Sequence, residues 1–366
     1  MRVRYSYLPQ QFADVGSLWD DLRRLVESGD FTLGAPVTEF ETRFADLIGT
    51  RHAIGVGSGT DALKLSLKAA GVGYGDEVIT AANTFIATAG AIAEISATPV
   101  FIDCDDTFCM DVGQLEAAIT PKTKAVMPVH YTGYVADMPR IMAIAEINGL
   151  AVIEDACQAI LATTNGRKAG TWGLAAGFSL HPLKNLNVWG DAGIIVTDDD
   201  LAATLRLLRN HGMVSRDEIA VLGYNSRLDS LQAVVGNWLI GEAAAITEAR
   251  IANAAYYDDA LAKIPQITLP RRDVNSKIVY HLYMVFAEGR DGLYAHLRDR
   301  GIECKVHYPI PLHRQQGLAH LGYRAGDFPV AERHAAETIT LPVDQHLSRA
   351  EMDYVIDTVR GYYAAG

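Results

Sequence analysis

Lys184 and Asp155 are the residues of this 366-residue chain whose settings point most directly to chemistry. Lys184 follows Gly177-Phe178-Ser179-Leu180-His181-Pro182-Leu183, which reads as the end of a strand delivering one lysine to an interior site. A lysine amine is a weak nucleophile near neutrality unless it is desolvated or set beside other cations. Lysines placed this way often form Schiff bases with carbonyl compounds or with pyridoxal phosphate (PLP). Upstream, Val152-Ile153-Glu154-Asp155-Ala156-Cys157-Gln158-Ala159 is an apolar strand ending in a carboxylate, the partner that a pyridinium nitrogen needs. A lysine and an aspartate at two strand ends, about thirty residues apart, point to PLP as cofactor.

The phosphate of such a cofactor needs backbone N–H groups at a helix start, where orphan donors and the helix dipole favour an anion. Gly57-Ser58-Gly59-Thr60-Asp61 lies between an expected strand and an expected helix. Gly55-Val56-Gly57-Ser58-Gly59 also resembles a dinucleotide turn, but its third glycine comes one residue early for G-x-G-x-x-G. Asp76 and Glu77 precede their strand, so neither suits a ribose, and a nicotinamide cofactor is disfavoured.

These residues need a scaffold, and the chain alternates strand and helix patterns to supply one. Strands are expected at His52–Val56, Glu77–Thr80, Pro99–Asp103, Ala125–Val129, Ala151–Glu154, Ala176–Leu180 and Gly193–Thr197. Several are near-continuous apolar runs, the mark of a sheet covered on both faces. Helices are expected at Asp61–Ala70, Phe85–Ile95, Val112–Ile119 and Met138–Ile147. A Thr38-Glu39-Phe40-Glu41 capping box is expected to open another. Such alternation predicts an α/β domain with a mostly parallel sheet and right-handed crossovers. After Asn225 the pattern changes to one long alanine-rich helix, Leu228 to about Leu261. A strand (Tyr280–Phe286), a helix (Gly292–Arg300), a strand (Ile302–Val306) and a closing helix (Ser348–Tyr363) follow it. Two domains are expected: residues 1–240, with the cofactor, and residues 241–366, a smaller α+β unit.

Composition fits a soluble enzyme, with 49% hydrophobic and 21% charged residues. A net charge of -12 without a basic block argues against nucleic acid and against an anionic membrane surface. Cys104, Cys109, Cys157 and Cys304 have neither zinc-ligand spacing nor the density of a disulfide framework, and Asp198-Asp199-Asp200 reads as a helix-start charge cluster, so no metal is expected. The first ten residues lack the apolar core of a leader, and a reduced, cytoplasmic setting is expected.

With these segments in hand, the chain resembles the DegT-type sugar aminotransferases, PLP enzymes of fold type I in the aspartate aminotransferase superfamily. The resemblance covers most of the chain. Ser58-Gly59-Thr60-Asp61-Ala62-Leu63 is similar to the family's phosphate loop, implying contacts from Thr60 and the backbone of Gly59 and Asp61. Asn83-Thr84-Phe85 implies Phe85 as the ring stacked on the pyridine. Glu154-Asp155-Ala156-Cys157-Gln158-Ala159 implies Asp155 on the pyridine nitrogen and Gln158 near the ring hydroxyl. The Phe178–Asn185 segment implies Lys184 as Schiff-base lysine and Ser179 on the phosphate, and His181, three residues before Lys184, is a candidate catalytic residue. Gly223-Tyr224-Asn225-Ser226-Arg227-Leu228 implies that Asn225 reaches the phosphate of a neighbouring subunit, hence a homodimer with shared sites. His307-Tyr308-Pro309-Ile310-Pro311-Leu312-His313 resembles the border of a sugar-nucleotide pocket, implying substrate contacts from His307, Tyr308 and His313. Ala192 stands where the family usually has glycine.

Each residue also has a structural reading: Asp155 as a helix cap, Phe85 as core, the histidines as satisfied or surface residues, Cys157 as a small buried hydrophobe. The resemblance implies transfer of an amino group, with glutamate as donor, to a nucleotide-linked keto sugar. A dehydratase of the same family would have histidine in place of Lys184, and a non-catalytic regulatory relative would lack Lys184 or Asp155. Both residues are present.

Overall fold

The computed structural model describes residues 1–365. Its centre is a seven-stranded sheet in the order His52–Val56, Gly193–Thr197, Ala175–Ser179, Ala151–Asp155, Thr123–Val126, Glu77–Ala81, Thr98–Ile102. Neighbours run parallel except at Gly193–Thr197, which is antiparallel to both of its partners. Alternate residues of each strand feed two separate cores. Val152, Phe178, Ile194 and Val196 pack on one face, and Ile153, Ala175, Ile195 and Ile54 on the other. This is the doubly covered sheet that the apolar runs predict. The architecture is an α/β large domain carrying a smaller C-terminal α+β unit.

Helix starts explain where expectation and structure part. The helix expected to open at Thr38 begins at Ala35, after Gly34, because Pro36 in its first turn presets the backbone. Thr38 is therefore helical, and Glu41 is no cap. Glu41 turns inward to accept from Gly55 N at 2.8 Å and to pair with Arg209 and Arg206. The long C-terminal helix is broken into Ser230–Leu239 and Ala243–Leu261 by a 3-10 turn at Ile240–Glu242 that contains Gly241.

The small unit holds an antiparallel sheet of Ile267–Thr268, Tyr283–Ala287 and Thr338–Leu341. The strand expected at Ile302–Val306 is not formed as a ladder. Its backbone makes only single bridges, Ile302 to Val3 and Lys305 to Thr340. The Val3 bridge carries the first residues of the chain onto the small unit, so the segment before Phe12 works as part of the roof over the site. Among the described residues no helix is long and apolar enough to cross a membrane.

Candidate active site

The strands of the parallel part end at one edge of the sheet, where α/β folds bind their ligands. A cavity of about 350 Å³ opens there between the large domain and the small unit. Its walls include Gly59, Thr60, Phe85, Asp155, Gln158, Ser179, His181, Lys184, His307 and Tyr308. The structure thus gathers residues scattered over 250 positions into one space.

Strand alternation sets the floor. Glu154 and Asp155 are neighbours, so their side chains leave opposite faces of the strand. Glu154 is fully buried away from the cavity and accepts from the backbone N–H groups of Gly170, Trp172 and Gly173 at 2.7–2.8 Å. Ala136 N donates to His130 Nδ1, so Nε2 carries the proton that His130 gives to Glu154 at 2.8 Å. Asp155 faces the cavity instead, accepting from Thr88 Oγ1 at 2.7 Å and from Cys157 N at 3.2 Å. It caps no helix. Thr88 is in turn paired with Thr84 at 2.9 Å.

The helix Gly59–Ala69 points its N-terminus into the cavity, capped by Ser58 Oγ, which accepts from Asp61 N at 3.0 Å. The Asp61 backbone N–H thus meets the Ser58 hydroxyl, and its carboxylate pairs with Lys64 at 2.6 Å. Gly59 and Thr60 remain at the wall. A Cβ on Gly59 would lie 2.8 Å from Ser179 Cβ and 3.0 Å from Cys157 Sγ, so only glycine lets the helix start sit against the strand end. Cys157 is half-buried in the cavity wall rather than a buried hydrophobe, and burial pushes its thiol well up.

Lys184 extends into the same space, with its Nζ 3.5 Å from His281 Nε2. Burial pushes the amine below the ordinary lysine value, and the neighbouring acidic groups, Cys157 and Asp155, oppose that shift. A depressed amine is neutral over more of the physiological range, which is what a nucleophile requires. His181 is exposed at the rim, and burial with the nearby lysines lowers its value against the pull of Asp191. Gln158 spends its side-chain oxygen on Thr132 N at 2.8 Å and leaves its amide nitrogen available. Phe85 is half-exposed and stands 5.6 Å from the Tyr308 ring, free to take a planar group against its face. His307 is desolvated, its value lowered to about 4, with Nδ1 2.8 Å from Thr340 Oγ1.

Two expected contacts lie elsewhere. His313 is buried behind the cavity, its Nε2 2.8 Å from Glu332 and its ring against Phe328, so the proline turn points it into a local core. Asn225 is exposed, bridged to Asn210, and outside the cavity of its own chain. Conversely, Tyr5, Thr88, His281 and Lys305 line the cavity without any sequence expectation. Only Thr88 had a local signal, one helical turn beyond Thr84.

The residues fit PLP. A desolvated lysine, a buried carboxylate, a helix N-terminus that a Cβ would block, and an exposed aromatic face surround one space. Fold and site together define a PLP-dependent aminotransferase of fold type I. The chain belongs to the DegT/DnrJ/EryC1/StrS aminotransferase family, whose model matches residues 16–360. It is 44% identical over 346 residues to a "Pleiotropic regulatory protein" of Geobacillus stearothermophilus, covering 93% of each chain. It is 40% identical over 359 residues to the dTDP-3-amino-3,4,6-trideoxy-alpha-D-glucose transaminase of Streptomyces venezuelae, covering 95% of each. Among solved structures it resembles S. venezuelae DesV in complex with a ketimine intermediate, at a TM-score of 0.96 and 39% identity, over 99% of this chain and 98% of that one.

Proposed function

We propose that this protein transfers an amino group from glutamate to the ketone of a nucleotide-linked keto sugar, in the cytoplasm, as a homodimer whose two sites share residues. The observation that carries the reading is the pairing of Lys184 and Asp155 in one cavity large enough for a sugar ring beside the cofactor. The transaminase similarity supports the sugar, and the regulatory name borne by one relative is outweighed by the presence of both residues. Cofactor contacts are assigned to Gly59, Thr60 and Ser179 at the phosphate, Phe85 at the ring face, Gln158 at the ring hydroxyl and Asp155 at the ring nitrogen. Bound PLP supplies an electron sink for the carbanion at the donor's α-carbon.

The chain's own residues supply the rest. Lys184 would hold the cofactor through Nζ, and the same Nζ, when free, would take the α-hydrogen of the donor and give it back, as general base and then acid. Asp155, fixed by Thr88, would hold a proton on the cofactor's ring nitrogen. The tyrosine and histidine of the roof, Tyr308 and His307, border the sugar. Asn225, exposed and outside its own cavity, is available to a neighbouring subunit's phosphate.

A panel of donors and ketones tests this. Cofactor absorbance is expected to change with glutamate and to be restored by one nucleotide keto sugar; a 3-keto sugar heads the panel, C3 being the position named for the S. venezuelae transaminase. Restoration by simple 2-oxo acids alone, with no keto sugar active, would overturn the substrate class.

A further inference from the structure

The amine of Lys184 ends a flexible side chain with four rotatable bonds, and one polar side chain stands within reach of it: His281, 3.5 Å away. That distance is at the long end for a hydrogen bond, within the swing of the lysine side chain. His281 Nδ1 is buried and has no protein partner among the described residues. Burial, together with Lys184, Arg250, His307 and His181, holds the ring well below the ordinary histidine value, so the imidazole is neutral. A neutral imidazole can accept one hydrogen from the amine through Nε2 without competing for its lone pair.

The backbone around His281 is fixed from several sides. Arg250, buried on the Ala243–Leu261 helix, donates Nε to Tyr280 O and Nη2 to His281 O, both at 3.0 Å. Asn185, the residue after Lys184, donates to Val279 O at 2.9 Å. Val279 N donates to Gly133 O at 3.1 Å and Leu282 N to Thr132 O at 3.3 Å. Thr132 N is the group that engages Gln158. Between these bonds Tyr280 holds a left-handed φ of 46°, costly for an aromatic residue and sustained only where surroundings impose it. The cost is met at one place along this strand entry, the residue that aims His281 at Lys184.

We infer that His281 is a positioning residue for Lys184: it takes a hydrogen from the amine and so aims the lone pair into the cavity, toward the carbonyl the amine must attack. This rests on Lys184 being the reactive amine. A misplacement of about 1 Å in such a group costs on the order of a hundredfold in rate, which sets the scale of the effect.

The test uses cofactor-free protein and reads capture of PLP, not turnover. Rapid mixing follows formation of the covalent link, and borohydride reduction with mass spectrometry locates it. His281→Leu is expected to slow linkage at saturating PLP by about ten- to a hundredfold, while non-covalent PLP affinity, measured on a Lys184→Ala background, stays unchanged. His281→Gln, which offers an acceptor of similar reach, is expected to recover most of the rate. Linkage by His281→Leu at the wild-type rate overturns the inference, as does equal slowing in both variants accompanied by a lower thermal midpoint, which would make His281 a wall residue only. If the wild-type protein forms no link at Lys184, the parent reading falls instead.

Discussion

Thr88 Oγ1 donates to Asp155 Oδ2 at 2.7 Å, and this bond ties the first turns of the Ile86–Glu94 helix to the strand end at the cavity floor. Hydrogen bonds to charged groups contribute about 1.5–3 kcal/mol. Thr88→Val is therefore expected to weaken PLP retention by roughly ten- to a hundredfold, with Thr88→Ser near wild type, as read by equilibrium dialysis. Equal retention in both variants would mean that Asp155 is held by other contacts.

The proposed function gives Lys184 two tasks, holding the cofactor and carrying the proton. Lys184→Ala is expected to bind PLP through Asp155, Phe85 and the phosphate loop with no borohydride-trapped adduct. Proton transfer by a positioned side chain contributes typically about 10²–10⁴-fold, and at least that loss is expected in single-turnover amination of the keto sugar. Near wild-type turnover would assign the base elsewhere, with His181 the first residue to examine.

His307 gives a signature in the cofactor-free protein. Its folded value of about 4 lies below the ordinary 6.5. The unfolded chain therefore binds a proton that the folded chain refuses in that interval, and stability falls as pH drops from 6.5 toward 4. His307→Gln is expected to flatten the acid limb of a plot of thermal midpoint against pH. His334, also lowered to about 4 by burial, leaves a residual slope in that variant.

Asn225 can be tested for action across subunits. Asn225→Ala is expected to loosen PLP without unfolding the chain, since its side chain is exposed. Mixed with Lys184→Ala subunits, it is expected to restore activity, because a heterodimer gathers both defects in one site and leaves the other intact. Absence of recovery after verified subunit exchange would place Asn225 outside the partner's site.

That Lys184, Asp155, Gly59 and Thr60 would surround one space was legible because each lies in a contiguous segment whose strand or helix pattern fixes its place. Phe85 and Gln158 came with those segments. Tyr5, His281 and Lys305 were not legible, since only tertiary packing of the chain start and the small unit brings them to the cavity. The Thr38 capping box misled because its glutamate serves a buried ion pair with Arg209. Ile302–Val306 misled because its alternation copies a strand, although two isolated bridges are all that it forms. His313 sits in a motif whose proline turn divides it, so two residues face the cavity and the third faces a core of Phe328 and Leu318.

The order of the central sheet bears on how the protein is made. His52–Val56 is an edge strand, and its one sheet neighbour is Gly193–Thr197, more than a hundred residues further along. A ribosome adding roughly 5–20 residues per second leaves that apolar strand without a partner for on the order of ten seconds. Glu41, which anchors Gly55, waits still longer for Arg209. The helix start at Gly59 follows this strand directly, so its seat is complete only after more than half of the chain has been translated, and nascent protein in that interval is a natural client for chaperones.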